Sequence, residues 1–204
     1  MHTLYISPLK ALTHDIERNL MQPVAEMGLD ISIETRTGDT PSHKRQRQRK
    51  KPPNILLTTP ESLMLMLSYA DANVIFGKLK AIVVDEVHAF AYGKRGDFTT
   101  LALARLRFHS PQVVTFGLSA TVAEPPLLAA WLGASGEPVS VHKVDTKVLP
   151  AVNIQQCKGR IPFGGFMAKY AVPEIYAAVK AVTTTLVFVN TRAQAELMFQ
   201  FLWE

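Results

Sequence analysis

An α/β layered domain with a mainly parallel sheet is predicted from three observations. Short apolar runs alternate with helical segments through residues 1–132. The run AIVV at residues 81–84 shows no polar alternation, as in a strand covered on both faces. Polar motifs (SPLK, RTGD, TTPE, DEVH and SAT) follow nearly every strand. In a parallel sheet such loops gather along one edge, where ligands bind.

Each element has its own signature. Residues 3–6 form a short apolar strand, closed by Ser7-Pro8. Leu9, Leu12, Ile16 and Leu20 then recur at a helical period. Pro23 is expected to interrupt or bend that helix and Gly28 to stop it. Residues 31–35 alternate as a second strand before the loop RTGDT, and Thr40-Pro41 has the form of an N-cap followed by proline. The segment SHKRQRQRKK is polar on every side, and six of the eight residues 44–51 are basic. A solvated helix is the commoner fate of such a run; a phosphate-binding face is the sharper alternative. Without aromatics, base stacking from this segment is not expected.

Residues 55–57 form a third strand, closed by Thr58-Thr59-Pro60-Glu61, and residues 62–70 an apolar helix with Met64 and Met66 as core filler. Residues 79–84 are the fourth strand. A helix over 98–108 offers Leu101, Ala104, Leu106 and Phe108 to the core. A fifth strand, 113–118, ends in Ser119-Ala120-Thr121, and Pro125-Pro126 opens a helix stopped by Gly133. Residues 134–169 are rich in glycine, proline and short β-like pieces, as in a connection between domains. A helix over 173–182, a buried strand over 184–189 and a helix over 193–203 follow. The expected division is a first domain at 1–145, a connection at 146–169 and the beginning of a second domain at 170–204.

Composition narrows the function. Of 204 residues, 48% are hydrophobic and 19% charged, which suits a packed core and excludes global disorder. The net charge of +5 favours a polyanionic partner. A single cysteine, Cys157, excludes an internal disulfide framework and a cysteine-built zinc cluster. No run is long enough to span a bilayer, so no membrane partner is expected, and a cytoplasmic location fits.

The chemistry concentrates in DEVH. Asp85 and Glu86 end the fourth strand, with His88 two positions on. On these residues alone the pair is either a solvated turn or a site of metal and water chemistry. A hydrolase using all three as metal ligands would need further histidines or carboxylates at ligand spacing, and none is recognisable.

Taken in order, these motifs resemble those of superfamily 2 helicases, and among them the large-helicase-related (Lhr) DEAD/DEAH-box proteins. SPLKAL is similar to motif Ia; Thr37-Gly38-Asp39 and Thr58-Thr59-Pro60-Glu61 to the next two nucleic-acid motifs; DEVH to motif II; Ser119-Ala120-Thr121 to motif III; and LVFVNTR to motif IV. The stretches PPNILLTTPESL and TTLVFVNTRAQAE are especially close to the Lhr pattern, and GRIPFGGFMAKYAVPEI is similar to the branch of ligase-associated DNA repair helicases. The resemblance implies an incomplete RecA-like P-loop NTPase fold and the start of a second RecA-like domain. It also implies ATP and Mg²⁺ as cofactors, DNA as partner, and repair partners such as a ligase or nuclease.

The resemblance makes Asp85 the Mg²⁺ partner, Glu86 the base that handles the attacking water, and His88 the link to Ser119, Ala120 and Thr121, which couple ATP to nucleic acid. Ser7, Pro8, Lys10, Arg36, Thr37, Gly38, Thr59 and Pro60 would meet the sugar-phosphate backbone, with Glu61, which cannot attract a phosphate itself, capping or orienting the local amides, and Asn190, Thr191 and Arg192 would join them. Helix capping is the plain alternative for SPLK and TTPE. No GxxxxGK[ST] occurs in these residues. The expectation is an internal piece of a longer helicase, with the phosphate loop upstream and the arginine finger downstream. Alone it should be inactive and expose a sheet edge. A RecA-like module that binds nucleic acid without catalysis is the other reading, against which the intact DEVH and SAT stand.

Overall fold

The computed structural model describes residues 1–90, 93–120, 122, 124–133, 139–144, 150–156, 163 and 169–203. Two compact units divide the chain, Met1–Lys143 and Val144–Glu204.

The first unit is built on five parallel strands: β1 (Thr3–Ile6), β2 (Ile33–Arg36), β3 (Ile55–Thr58), β4 (Ala81–Val84) and β5 (Val114–Gly117), in the order β2-β3-β1-β4-β5. The expected parallel α/β class is therefore the observed one. Six helices connect or follow them: α1 (Lys10–Glu26), α2 (Ser42–Lys50), α3 (Pro60–Leu67), α4 (Ala72–Phe76), α5 (Lys94–His109) and α6 (Pro125–Leu132). Side-chain alternation along the strands separates two faces. Leu4, Ile6, Leu56, Ile82 and Val84 point into one core with Leu63, Met66, Leu67, Phe76, Leu103 and Leu106 of α3, α4 and α5. Fully buried Leu57 lies on the opposite face, where α1 packs against β2 and β3. Helices following β1 and β3 thus leave the sheet on opposite faces, and a crevice opens between their first turns.

Several elements depart from expectation. Pro23 does not interrupt α1, which runs three residues beyond it to Glu26. Gly28, at φ 62°, terminates the helix: its N–H donates to Ala25 O and the Leu29 N–H to Val24 O, a Schellman closure that needs a left-handed residue. Helix α2 begins one residue later than Thr40-Pro41 implied, because the Thr40 hydroxyl accepts the Thr37 N–H instead. The core face of α5 carries Thr99, Ala102, Leu103 and Leu106, while Leu101 and Phe108 are exposed. The helix starts four residues earlier than its apolar pattern suggested, and Gly96 and Thr99 set the buried stripe.

The second unit contains a 3₁₀ turn, Lys169–Ala171, and two helices, α7 (Val172–Lys180) and α8 (Arg192–Trp203), that touch one another. Residues 184–189, expected as a buried strand, form no ladder, and Leu186 and Phe188 are exposed. Among the described residues no neighbouring strand pairs with them, and pairing, not propensity, makes a strand. Of the β-like pieces expected at 139–144 and 148–154, the described residues 139–144 and 150–154 belong to no strand. Cys157 lies outside the described residues.

Candidate nucleic-acid and nucleotide site

The carboxyl edge of the sheet carries two adjoining features. The first is the acid pair. Asp85 follows β4, its N–H donating to Ile6 O at 2.8 Å, and its Oδ1 accepts the Glu86 N–H at 2.9 Å. Glu86 adopts φ 50°, ψ 50°, the one left-handed non-glycine among the described residues. Such a conformation costs on the order of 1–3 kcal/mol and persists where surrounding contacts enforce it. Here the contacts are ladder bonds from both sides: Leu118 N–H donates to Val84 O and Val87 N–H to Leu118 O, both at 2.9 Å. That crossing brings the next residue, Ser119, against His88, with Nδ1 and Oγ 2.9 Å apart. The same Nδ1 lies 3.3 Å from Glu86 Oε2, an atom shielded from solvent. Ala120 is exposed beside Ser119, and Thr121 lies outside the described residues.

Sequence reasoning missed Tyr5. Its phenol is pushed well above the ordinary tyrosine value, first by burial and then by the Asp85 carboxylate, with which it shares a hydrogen bond, and by Glu86. The β1–β4 register, Tyr5 opposite Val83, puts Tyr5 and Asp85 on one face. Only that pairing reveals the contact.

The second feature is a cleft of about 540 Å³ where the crevice opens. It gathers Pro8, Lys10, Arg36, Thr37, Gly38, Thr59 and Glu61 from the loops after β1, β2 and β3. Leu9, Arg45, Ser62, Leu65 and Arg95 complete it; Arg45 belongs to the basic run 44–51, whereas Arg95 lies outside every motif read from the sequence. Ser7 and Pro60 are buried and outside the lining, and the Ser7 hydroxyl meets no hydrogen-bond partner among the described residues. Thr59 and Leu9 occupy the N-cap positions of α3 and α1 without a side-chain cap on either helix. Plain capping by an N-cap side chain therefore does not account for SPLK or TTPE; the first-turn amides of α1 stay available to an anion, whereas in α3 Pro60 has no N–H and the Glu61 amide meets its own carboxyl.

Four basic groups ring the cleft. Lys10 Nζ is 2.9 Å from both oxygens of Asp39. Arg36 is 4% exposed and donates to Tyr69 Oη and Arg45 O, so it supports the wall more than it presents charge. Arg45 donates to Thr40 O and Gly38 O and braces the 37–40 turn. Arg95 grips Glu61 through two hydrogen bonds, Nε to Oε1 at 2.7 Å and Nη2 to Oε2 at 3.2 Å. Burial would raise the Glu61 carboxyl, but the Arg95 bonds, its own backbone amide and Thr59 together hold it below the usual carboxylate value.

The basic helix α2 resolves into two populations. Arg45 is committed to the turn, Arg47 to Glu34 and Arg49 to Asp71, the last stacked over Tyr69 at 4.7 Å. Lys50 and Lys51 are exposed and Lys44 is half-buried. Asn190, Thr191 and Arg192 stand at the start of α8 in the second unit. There Thr191 Oγ1 accepts the Gln194 N–H and Gln194 Oε1 the Asn190 N–H.

Strand order and strand-end loops define a RecA-like helicase core domain. The chain belongs to the DEAD/DEAH box helicase family, whose match runs over residues 1–128. It is 35% identical over 213 residues to the ATP-dependent helicase Lhr-Core protein 2 of Thermococcus barophilus, covering 96% of this chain and 25% of that protein. The Lhr helicase/uracil glycosylase of Escherichia coli is also 35% identical, over 95% of this chain and 14% of its own length. Among solved structures, Mycobacterium smegmatis helicase Lhr bound to ssDNA and AMP-PNP superposes with a TM-score of 0.73 at 34% identity, covering 99% of this chain and 28% of that one. The DUF1998 helicase MrfA bound to DNA and AMPPNP gives 0.74 at 27% identity, over 98% and 29%. The chain thus spans less than a third of the length of each of these relatives.

Proposed function

We propose that this chain carries the DNA-tracking cleft and the magnesium-and-water side of the ATP site of an ATP-dependent helicase of the Lhr type. The observation that carries this reading is convergence: loops from three strands, β1, β2 and β3, build one basic cleft on the same carboxyl edge of the sheet as the acid pair after β4. Backbone amides, hydroxyls and cations suit a sugar-phosphate chain because none of them reads sequence. The DNA and the ATP analogue bound to the Lhr and MrfA relatives support both ligands for this chain.

Asp85 fits Mg²⁺. Among the described residues no three His, Cys, Asp or Glu side chains form a metal cage. A single carboxylate at a strand end is the protein share that Mg²⁺ usually takes, the rest being water and phosphate oxygens. Bound there, the ion would neutralise charge developing on the transferred phosphoryl group. Glu86 orients a water and accepts its proton. His88, bonded to Ser119, ties that acid to the loop after β5. Ser119, Ala120 and Thr121 carry the ATP state toward the cleft, and Asn190, Thr191 and Arg192, at the opening of a second RecA-like domain, supply further backbone donors. Partners in DNA repair, such as a ligase or nuclease, and a cytoplasmic location belong to the same reading.

The test is Glu86→Gln in the intact protein. ATP hydrolysis should fall by about 10²-fold or more while DNA binding persists. Unchanged turnover would remove Glu86 as the base.

A further inference from the structure

We infer that Arg95 is an additional phosphate-binding residue of the cleft and that Glu61 is its positioning residue, an inference that rests on the nucleic-acid reading above. The difficulty it resolves is Glu61 itself, a carboxylate in the lining of a cleft otherwise suited to anions. Its two hydrogen bonds to Arg95 show where its charge goes.

Stability does not explain the pair. Its side chains are 39% and 62% exposed, and ion pairs open to water add little to stability. Nor does helix chemistry explain Arg95. It sits in the first turn of α5, where the helix dipole disfavours a cation. A role at the cleft accounts for both. The guanidinium lies over the fully buried Phe90 ring, 5.8 Å from its centroid, and Glu61 fixes its Nε and Nη2 side. The Nη1 group and the second Nη2 proton remain for a ligand. Glu61 stands in the first turn of α3 behind Pro60, and α3 packs along α5, so both partners project from rigid elements. Across the cleft, Lys10 is held by Asp39 in a similar way. A strand in the cleft would then meet an oriented guanidinium on one wall and an ammonium on the other. The class of ligand is a phosphodiester chain, bound without regard to sequence.

The experiment follows a fluorescently labelled oligo(dT) binding to this chain by anisotropy across a salt series, with far-UV circular dichroism to check each variant's fold. Arg95→Gln should weaken binding roughly tenfold and flatten the log K–log[salt] slope by about 0.7, one phosphate contact's worth on a single strand. Arg95→Lys, which keeps the charge and loses the fork, should retain the slope and recover part of the affinity. Glu61→Ala should weaken binding when Arg95 is present and have no such effect in the Arg95→Gln background. Tighter binding on Glu61→Ala would make Glu61 a competing charge and overturn its positioning role. An unchanged slope in Arg95→Gln, with the parent chain binding normally, overturns the Arg95 contact alone. Absence of oligonucleotide binding by the parent chain overturns the nucleic-acid reading and this inference together.

Discussion

At the residue scale, function here depends on what holds each charged group. Asp85, Glu86 and His88 are contiguous in sequence, but their arrangement comes from elsewhere: Ile6 O anchors Asp85, the crossing of Leu118 forces Glu86 left-handed, and Ser119 receives His88. Glu61 behaves alike, its carboxyl held below the usual value despite the burial that opposes it, because Arg95, its backbone amide and Thr59 stabilise the anion. A depressed carboxyl adds stability above the unfolded-state value of about pH 4.3, and that stability fades as pH falls through the lower folded value. Urea midpoints of the parent chain and of Glu61→Gln should therefore differ most near neutral pH and draw together below about pH 4. A constant offset across that window would show that the carboxylate's charge is not what matters.

At the element scale, local signals and packing contributed differently. Gly28 was legible as the stop of α1 because a left-handed C′ residue has a sequence signature, and the Schellman bonds confirm the reason. Space around it is open, so Gly28→Ala tests conformation alone and should cost about 1 kcal/mol by urea denaturation. No change would mean the turn adjusts freely. Of the core face expected over 98–108 only Leu106 is buried; Leu101, Ala104 and Phe108 are exposed, since the segment is apolar on several sides and packing against α3 and α4 selects Ala102 and Leu103 beside Leu106. In α2, composition promised a basic face, yet Arg45, Arg47 and Arg49 serve a turn, Glu34 and Asp71. Polar runs do not disclose which of their charges are already spent.

At the scale of the whole molecule, β5 is an edge strand, and Val114 and Phe116, with Leu118 just beyond its end, are 55%, 51% and 47% exposed. An exposed apolar edge invites pairing between copies. The chain should associate with rising concentration in sedimentation velocity, and Phe116→Lys should shift it toward monomer; identical profiles would place association elsewhere. What the sequence determined by itself was the parallel α/β class, the order of its motifs and the family they announce, because alternation, strand-end acids and turn residues are local patterns. Most cleft residues were legible for the same reason, from Pro8 to Glu61. Tertiary structure decided the rest. Tyr5 meets Asp85 only because β1 lies beside β4, Arg95 reaches Glu61 only because α5 packs on α3, and residues 184–189 form no strand because strandhood requires a neighbour. Each is a pairing between distant segments, and a pattern read along one segment carries no information about its partner.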